Sequence, residues 1–323
     1  MSLEFLYLTR ADVEAVGMPM ADVVAAVEEV LREKGCGRVE MPPKRGVHPM
    51  PESAINAMPG YVPLTKAAGI KWVTRYLPNL EKGLPYVLGL LILNDPETGI
   101  PVSVMDCAWI TAMRTGAASA VAAKYLARSD SAQIAMLACG VQGRSNLEAM
   151  KVVFPGLRLA KAFDIRRDTA ERYARDMAAA LDMDVEVSET PEDAVRGADI
   201  VVTSGPILHE PNPVIELAWL KEGVFLSAVD LDSYIKPEVF NAAKLYTDDL
   251  EQFLGYSRQG YFAGIHDPIG DLGELVAGKK PARESSNEIA MTANLGLAIE
   301  DIAVAARIYS AAKAQGLGRS LPL

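Results

Sequence analysis

The chain has 323 residues, half of them hydrophobic and 23% charged, which gives enough length for a sizeable core and excludes a disordered chain. Its net charge of −10 and pI near 5.0 argue against a surface for nucleic acid or anionic membranes. Three cysteines without a CxxC pair argue against a disulfide framework or a zinc site. Together with a charged N-terminus and no apolar run of membrane-spanning length, they predict a cytoplasmic protein.

The first part of the chain is predicted to hold a helix followed by a sheet. Apolar residues recur at helical spacing over 19–34. Runs of strand formers, separated by turns rich in Pro, Gly, Asn and Asp, occur at 54–58, 69–76, 86–93 and 101–105. Successive strands without helices between them favour an antiparallel-type sheet over roughly the first 110 residues.

From residue 109 the pattern changes to a long Ala-rich helix and then to alternating strands and helices. Strands are predicted at 132–138, 159–164, 184–188, 199–204, 224–229 and 244–247, with helices at 142–153 and 168–181. This alternation predicts a parallel, doubly wound sheet of the Rossmann type.

The last predicted helix, 287–315, is too long for a crossover, so we expect it to leave the Rossmann domain and pack on the N-terminal one. The predicted fold class is therefore α/β, with an α+β domain (1–127 with 300–323) beside a Rossmann-like domain (128–299).

The turn after strand 132–138 has the spacing of a dinucleotide-binding fingerprint. In LACGVQGRSN, the three positions where Gly-x-Gly-x-x-Gly is usual hold Ala138, Gly140 and Gly143. Gly140 would let the backbone approach a pyrophosphate, and Gly143 would allow the helix to pack closely on the strand. Ala138 departs from the pattern.

Asp164 ends the next strand, where a ribose-binding acid belongs. A carboxylate there accepts from the 2′-hydroxyl and repels a 2′-phosphate, so it favours NAD. Arg166 and Arg167 follow at once and would suit NADP, which stays the less favoured cofactor. The alternative interpretation of Asp164 is an ordinary turn residue at the end of a strand.

Basic residues stand out in this acidic chain. Arg45 lies in PPKRGVHP and Arg114 in AMRTGAAS, while GIKWVTRYLPN holds Lys71 and Arg75. Strand alternation places Lys71 and Arg75 on one face. Arginine's planar fork suits bidentate binding of a carboxylate. The alternative for each residue is an exposed cation or a structural ion pair.

Two acids follow the predicted strand 224–229 in SAVDLDSYIKPE. Asp230 and Asp232 stand where ligands bind in parallel sheets, and a carboxylate there can handle a proton. The alternative is an Asp-rich turn that caps a helix. The three histidines, His48, His209 and His266, show no metal-binding spacing, so no metal is predicted.

In order along the chain, GIKWV, GLLILNDPETGIPVSVMD, ITAMRTGAASAVAAKYLAR, CGVQGRSNLEA and LGELVAGKKPAR closely resemble the ornithine cyclodeaminase/mu-crystallin family. The resemblance covers nearly the whole length. It implies an NAD(P)-dependent homodimer in which a substrate domain faces a Rossmann domain and carries the dimer contact. It also implies hydride transfer between the nicotinamide and the Cα of an amino acid or its imine.

By the same resemblance, Arg45, Lys71 and Arg114 hold the substrate α-carboxylate, with Lys71 near the reacting carbon. The family's catalytic acid falls on Asp232, with Asp230 as the other candidate. Either Asp232 or Lys71 would protonate or hold the imine nitrogen. The residues implied to lie along the cofactor are Arg114, Thr115, Gly140, Val141, Gln142, Gly143, Asp164, Ile165, Arg166, Thr203, Ser204 and Gly205.

Two departures from the family pattern guide the choice of substrate. Asn56 replaces a glutamate that helps to seat a cationic substrate in cyclodeaminases, which argues against ornithine. Arg75 adds a second cation, which a dicarboxylic substrate would neutralise. We therefore predict an NADH-dependent reductase of a dicarboxylic imine, iminosuccinate to L-aspartate, with Arg75 and either Lys44 or His48 on the distal carboxylate.

Three other functions remain open on the sequence. An alanine dehydrogenase or ketimine reductase would share the chemistry and differ only in the substrate. A cyclodeaminase would be a redox-neutral lyase with catalytic NAD. A binding protein derived from an enzyme would not require Lys71, Arg114 and Asp232 together.

Overall fold

The computed structural model describes residues 3–208 and 210–323. It divides into two compact units, which we call unit 1 (Met1–Arg114 with Gly296–Leu323) and unit 2 (Thr115–Leu295). Both boundaries fall earlier in the chain than the expected 127/128 and 299/300. The first differs because the middle of the Ala-rich helix belongs to unit 2, where the hydroxyl of Ser119 accepts hydrogen bonds from Ser227 at 3.0 Å and Asn294 at 3.3 Å.

Unit 1 is built on one seven-stranded sheet. Its strands are β1 (Glu4–Leu8), β2 (Arg45–Val47), β3 (Ser53–Val62), β4 (Ala67–Tyr76), β5 (Val87–Asn94), β6 (Pro101–Asp106) and β14 (Arg319–Pro322). They run in the order β14-β1-β6-β5-β4-β3-β2, and all pairs are antiparallel except β1 with β6. The predicted strands are confirmed as β3 to β6, whereas β1, β2 and β14 were not predicted.

Helices cover one face of this sheet. They include α1 (Arg10–Ala15), α2 (Met20–Gly35) and α10 (Ala298–Gln315), while α3 (Ala108–Leu126) crosses the boundary into unit 2. The helix α10 packs on β3, β4 and β5 and on α2. Lys71 and Met58, which are paired across β4 and β3, are buried on this inner face.

The opposite, outer face of the sheet presents large apolar side chains. Trp72 is 47% exposed and is paired with Leu90, which is 45% exposed. Leu88, two residues before Leu90 and on the same face, is 39% exposed and pairs with Thr74. The alternation along β4 therefore separates a buried cationic face from an exposed apolar one.

Unit 2 is a parallel sheet with helices between its strands. Its strands are β7 (Gln133–Leu137), β8 (Leu159–Phe163), β9 (Asp184–Val187), β10 (Ile200–Thr203), β11 (Phe225–Ala228), β12 (Lys244–Thr247) and β13 (Ala290–Ala293). Its helices are α4 (Val141–Val153), α5 (Arg167–Leu181), α6 (Pro191–Val195), α7 (Pro237–Ala242), α8 (Leu250–Ser257) and α9 (Leu272–Val276). The order β12-β13-β11-β10-β7-β8-β9, with all pairs parallel, confirms the doubly wound prediction.

The prediction of a helix over 287–315 is wrong for the first third of that range. Residues Ala290–Ala293 form β13, which lies between β11 and β12, and α10 begins only at Ala298. A short apolar run does not distinguish a buried strand from a helix. Gly296, at φ +88°, separates the two elements.

The strand order reverses between β7 and β10, which is where ligands bind in doubly wound sheets, beyond the carboxyl ends of the strands. The β7–α4 turn, the 203–205 turn after β10 and the acids after β11 all follow such ends. Across residues 3–208 and 210–323, the structure contains no helix with the length and hydropathy needed to cross a membrane.

Candidate active site

Lys71 is the most deeply buried cation of unit 1. It is 1% exposed on the inner face of β4; its Nζ lies 2.6 Å from Asp301 Oδ2 and donates to Thr111 Oγ1 at 3.3 Å. Burial and the nearby Arg114 charge lower the pKa of Lys71 to about 8, although Asp301 acts in the opposite direction. Its surroundings therefore make the Lys71 ammonium more acidic than that of an ordinary lysine.

Arg114, on α3, lies beside Lys71 and shares its counter-ion. Its Nε is 3.0 Å from Asp301 Oδ1, and its Nη1 is 3.0 Å from Glu300 Oε2. A Cβ at Gly296 would lie 2.8 Å from Nη1 and 2.9 Å from Nη2, so glycine at this left-handed position leaves room for the guanidinium.

We call Lys71, Arg114, Glu300 and Asp301 the charge cluster. Both acids are 0% exposed and lie in the first turn of α10, where the helix dipole favours negative charge. These two acids were not predicted from the sequence. The available signal was the pair of adjacent acids at the start of an otherwise apolar helix.

The β7–α4 turn of unit 2 has the shape of a phosphate cradle. Ala138 takes the left-handed conformation, with φ +74°, that the first glycine of the fingerprint usually provides. A Cβ at Gly143 would lie 2.4 Å from the Ala138 carbonyl oxygen, so this glycine is needed for close packing. A Cβ at Gly140 would meet nothing within 4 Å, and no side chain caps the start of α4 there. The open space before uncapped N–H groups fits a pyrophosphate.

Asp164 stabilises the β7–α4 turn through hydrogen bonds. Its Oδ2 accepts the backbone N–H of Cys139 and its Oδ1 that of Arg166, both at 2.9 Å. Each carboxylate oxygen has a second lone pair, so the contacts leave capacity for a ribose hydroxyl. The turn-residue interpretation and the cofactor interpretation therefore fit the same geometry.

The surface around the turn carries exposed apolar side chains. Val141 is 65% exposed and Ile165 is 83% exposed, which suits contact with a flat aromatic base. The buried side-chain oxygen Oε1 of Gln142 has no hydrogen-bond partner among the described residues. Arg167 pairs with Glu171 at 2.9 Å and with Glu189, and this pairing weakens the case for a 2′-phosphate site there.

Asp230 holds the 203–205 turn in place. Its Oδ1 accepts the Thr203 hydroxyl and its Oδ2 accepts the Gly205 N–H, both at 2.8 Å, while Ser204 Oγ donates to the Ala138 carbonyl at 3.2 Å. The side chain is 0% exposed, and burial raises the pKa of Asp230 to about 7. Both oxygens are engaged within the protein, which indicates a structural task.

Asp232 has different surroundings. Its Oδ2 accepts the Phe262 N–H at 2.7 Å, whereas its buried Oδ1 has no hydrogen-bond partner among the described residues. Burial also raises the pKa of Asp232. The residue lines a cleft of about 370 Å³, whose walls in unit 2 include Pro211, Ile235 and Tyr261. Asp232 is thus the acid that keeps capacity to bind or move a proton.

The profile of the ornithine cyclodeaminase/mu-crystallin family matches residues 4–316. The chain belongs to this family. Among its relatives, the nodulation efficiency protein NfeD of Rhizobium meliloti is 37% identical over 97% of both chains. The alanine dehydrogenase of Archaeoglobus fulgidus is 36% identical over 99% of this chain and 98% of its own.

Solved structures of the family share the fold. The Δ1-pyrroline-2-carboxylate reductase of Thermococcus litoralis, in complex with NADH and L-proline, has a TM-score of 0.89 and 33% identity, covering 98% of this chain and 99% of its own. An archaeal alanine dehydrogenase dimer with bound NAD has a TM-score of 0.90 and 35% identity, covering 99% of this chain and 100% of its own. The iminosuccinate reductase of Paracoccus denitrificans, at 22% identity, 0.85 TM-score and coverage of 99% and 100%, shows the fold alone.

The structure brings together some of the residues that the family resemblance implies. Lys71 and Arg114 share Asp301, whereas Arg45 is exposed and pairs with Ala57, on the sheet face opposite Lys71. His48 is also exposed. Arg45 was predicted to bind the substrate α-carboxylate, and His48 the distal carboxylate. Both roles stay predictions, because the structure does not bring either side chain to Lys71.

Arg75 and Asn56 lie on the inner face with Lys71. Arg75 is half-buried, about 13 Å along β4 from Lys71 by strand geometry, and Asn56 pairs with Val73 between them. A Cβ at Gly46 would lie 2.3 Å from Asn56 Oδ1, so the Asn56 amide lies over that backbone. Thr115 is buried at the start of unit 2.

No group of three or more His, Cys, Asp or Glu side chains in the described part of the chain is arranged to hold a metal ion. Of the histidines considered in the sequence, His209 lies outside the described residues.

Proposed function

We propose that this chain is an NADH-dependent reductase of a small imino acid. The observation that carries the proposal is the pair Lys71 and Arg114, two buried cations fixed on one carboxylate, which suits the binding of a substrate α-carboxylate. The β7–α4 turn with its open Gly140 position supports a dinucleotide, and Asp164 favours NAD over NADP.

NADH, when bound, supplies a hydride for the imine carbon. In this proposal Lys71 and Arg114 hold the α-carboxylate and thereby fix the position of that carbon. Asp232, whose Oδ1 is unpaired among the described residues and whose pKa is raised, supplies or holds the proton on the imine nitrogen. The proton matters because an iminium accepts hydride more readily than a neutral imine.

For the substrate, we infer a dicarboxylic imine, with iminosuccinate giving L-aspartate as the simplest case. Arg75 supports this, because it shares the inner sheet face with Lys71. Asn56, which is neutral on that face, gives no counter-charge for the distal ammonium of ornithine and so argues against a cyclodeaminase. The alanine dehydrogenase relative supports a second candidate, iminopropionate giving alanine.

The deciding experiment is NADH oxidation across a keto-acid panel with and without ammonia. For a dicarboxylic imine, oxaloacetate with ammonia should exceed pyruvate with ammonia in kcat/KM. The reverse order selects the alanine reaction. No turnover on any imine, with proline and ammonia formed from ornithine, would replace the proposal by a cyclodeaminase, and ligand binding without turnover would indicate a binding protein.

Arg75→Ala separates the two reductase substrates. Loss of a charged hydrogen bond of about 1.5–3 kcal/mol should lower kcat/KM for the dicarboxylic imine by roughly tenfold or more and leave the pyruvate reaction unchanged. Arg10→Ala, at an exposed arginine on α1, is the matched control. An equal loss on both substrates would show that Arg75 has a structural role.

We also propose a cytoplasmic homodimer. The three cysteines are free, as a reducing compartment keeps them. The exposed apolar face around Trp72, Leu88 and Leu90 is a surface that a second copy can cover. The archaeal alanine dehydrogenase, a dimer that covers 99% of this chain, supports the assembly.

A further inference from the structure

The charge cluster has a member with two simultaneous tasks. Asp301 places one oxygen 2.6 Å from Lys71 Nζ and the other 3.0 Å from Arg114 Nε. Glu300, its neighbour on α10, places its Oε2 3.0 Å from Arg114 Nη1, whereas the acid that raises the pKa of Lys71 is Asp301. The two acids are therefore not equivalent.

Among the described residues, Asp301 is the acid that lies against the Lys71 ammonium, at 2.6 Å from its Nζ. Arg114 repels it from α3, Thr111 accepts a hydrogen bond from it, and Cys107 lies near with a pKa that burial raises to about 11, so that its thiol is neutral. Without Asp301, Lys71 would be buried beside a second cation.

We propose that Asp301 is a positioning residue for the reaction, because its carboxylate bridges Lys71 and Arg114, fixes their spacing and keeps the Lys71 ammonium charged. This inference rests on the proposed function, in which both cations hold the substrate. Asp301 itself does not touch the substrate. Its effect passes through the two cations.

The first test is the pH dependence of kcat/KM for imine reduction. Activity should fall as pH rises through the Lys71 pKa of about 8, since the charged form binds the substrate. In Asp301→Asn this falling limb of the pH profile should move to lower pH by about one unit or more, which lowers kcat/KM at pH 8 roughly fivefold or more. Asp301→Glu, which restores the charge, should return the limb toward its original position.

Glu300→Gln is the matched control, because it removes a neighbouring buried acid whose Oε2 lies 3.0 Å from Arg114 Nη1, whereas Asp301 is the acid that raises the pKa of Lys71. It should raise KM and leave the limb in place. An unmoved limb in a folded Asp301→Asn variant overturns the proposal, because a merely structural acid would lower Tm without changing the titration of Lys71.

A second measurement does not depend on the proposed function. Lysine labelled with ¹³C at Cε, with the Lys71 resonance assigned through Lys71→Arg, reports the titration of Lys71 directly by NMR. A downward shift of that titration in Asp301→Asn supports the inference even if no imine is turned over. An unchanged titration refutes the inference whether or not the enzyme is active.

Asp301→Asn leaves two buried cations with less counter-charge and can prevent folding. A double-mutant cycle covers that outcome: Lys71→Met alone, Asp301→Asn alone, and both together. The double variant should recover soluble protein and Tm relative to Asp301→Asn. If Asp301→Asn costs the same Tm, or folding, in the Lys71→Met background, the bridge does not couple the two residues and the proposal fails.

Discussion

Asp230 and Asp232 stand two residues apart after β11, and the protein uses them differently. Asp230 is fully buried with both oxygens bonded to the 203–205 turn. Asp232 faces a cleft and keeps one oxygen without a partner among the described residues. Within the proposed function, the oxygen of Asp232 that is unpaired among the described residues suits the proton-handling role, which stays a prediction, and the two engaged oxygens of Asp230 suit an anchor.

This anchor should make stability depend on pH. Burial raises the pKa of Asp230 from 3.8 to about 7, so the folded state keeps a proton that the unfolded chain releases between those values. The contribution of Asp230 to the free energy of unfolding therefore falls by about 4 kcal/mol as pH rises from about 4 to 7. Asp230→Asn should remove this part of the dependence, because its amide can still accept from Gly205 and donate to a rotated Thr203 hydroxyl.

The check is chemical denaturation of both proteins at several pH values. The variant should gain stability relative to the native chain as pH rises from 4 to 7. Asp184→Asn, at an exposed acid on β9, serves as control and should follow the native profile. Parallel profiles for Asp230→Asn and the native chain would show that Asp230 does not titrate in this range.

At the scale of single residues, the sequence predicted which cations share a strand face but did not identify their acidic partners. Strand alternation predicted that Lys71 and Arg75 share a face, and the register agrees. Asp301 lies 230 positions from Lys71, and nothing in the local pattern shows that α10 packs on β4. Contacts of that sequence separation are fixed by topology, which residue spacing does not record.

At the scale of elements, the β7–α4 turn contains two glycines that differ in their structural requirement. Gly143 is required by packing, because its Cβ would clash with the Ala138 carbonyl. Gly140 has open space around it, so the folded chain alone does not require glycine there. Its requirement would come from the cofactor.

Gly140→Ala should therefore leave Tm nearly unchanged and weaken NADH binding by roughly tenfold or more, since about 1.4 kcal/mol of lost contact gives that factor. Gly143→Ala, the matched variant, should lower Tm through the steric clash. Thermal melts and NADH fluorescence titrations measure both effects. Native NADH affinity in Gly140→Ala would show that the pyrophosphate does not approach this position.

Most elements were predictable because their periodicity is strong and their turns are marked. The exceptions among the strands are short or lie at an edge: β1, β2, β14 and β13 have 3 to 5 residues each. The helices α1, α7, α8 and α9, of 5 to 8 residues, were not predicted either. In β13 the four-residue sequence AMTA is buried at every position, so neither helical nor strand periodicity is visible in it. Its identity as a strand is decided by its neighbours β11 and β12, through tertiary pairing.

For the whole molecule, the exposed apolar face of unit 1 determines the expected assembly. Light scattering should give twice the chain mass of 34.7 kDa. Trp72→Glu with Leu90→Glu should give the monomer mass, because two paired acids would be buried at the contact. Val152→Glu, on an exposed apolar residue of unit 2, should leave the dimer intact. A native monomer, or a dimer that survives the double substitution, would contradict the proposed interface.

The division into two units was predictable in kind but not in position. Alternating strands and helices revealed unit 2, whereas the first boundary lies within α3 and the second just before α10. An uninterrupted helix gives no local signal of which unit each of its turns packs in.

The discontinuity of unit 1 has a consequence for the order of events on the ribosome. Translation proceeds from the N-terminus, so all of unit 2 has emerged before Gly296–Leu323, which unit 1 needs for completion. Until α10 arrives, Lys71 and Arg114 have no access to Glu300 and Asp301. The nascent chain should therefore acquire dinucleotide affinity before unit 1 becomes compact, and a chain that stalls before residue 296 should retain the first property without the second.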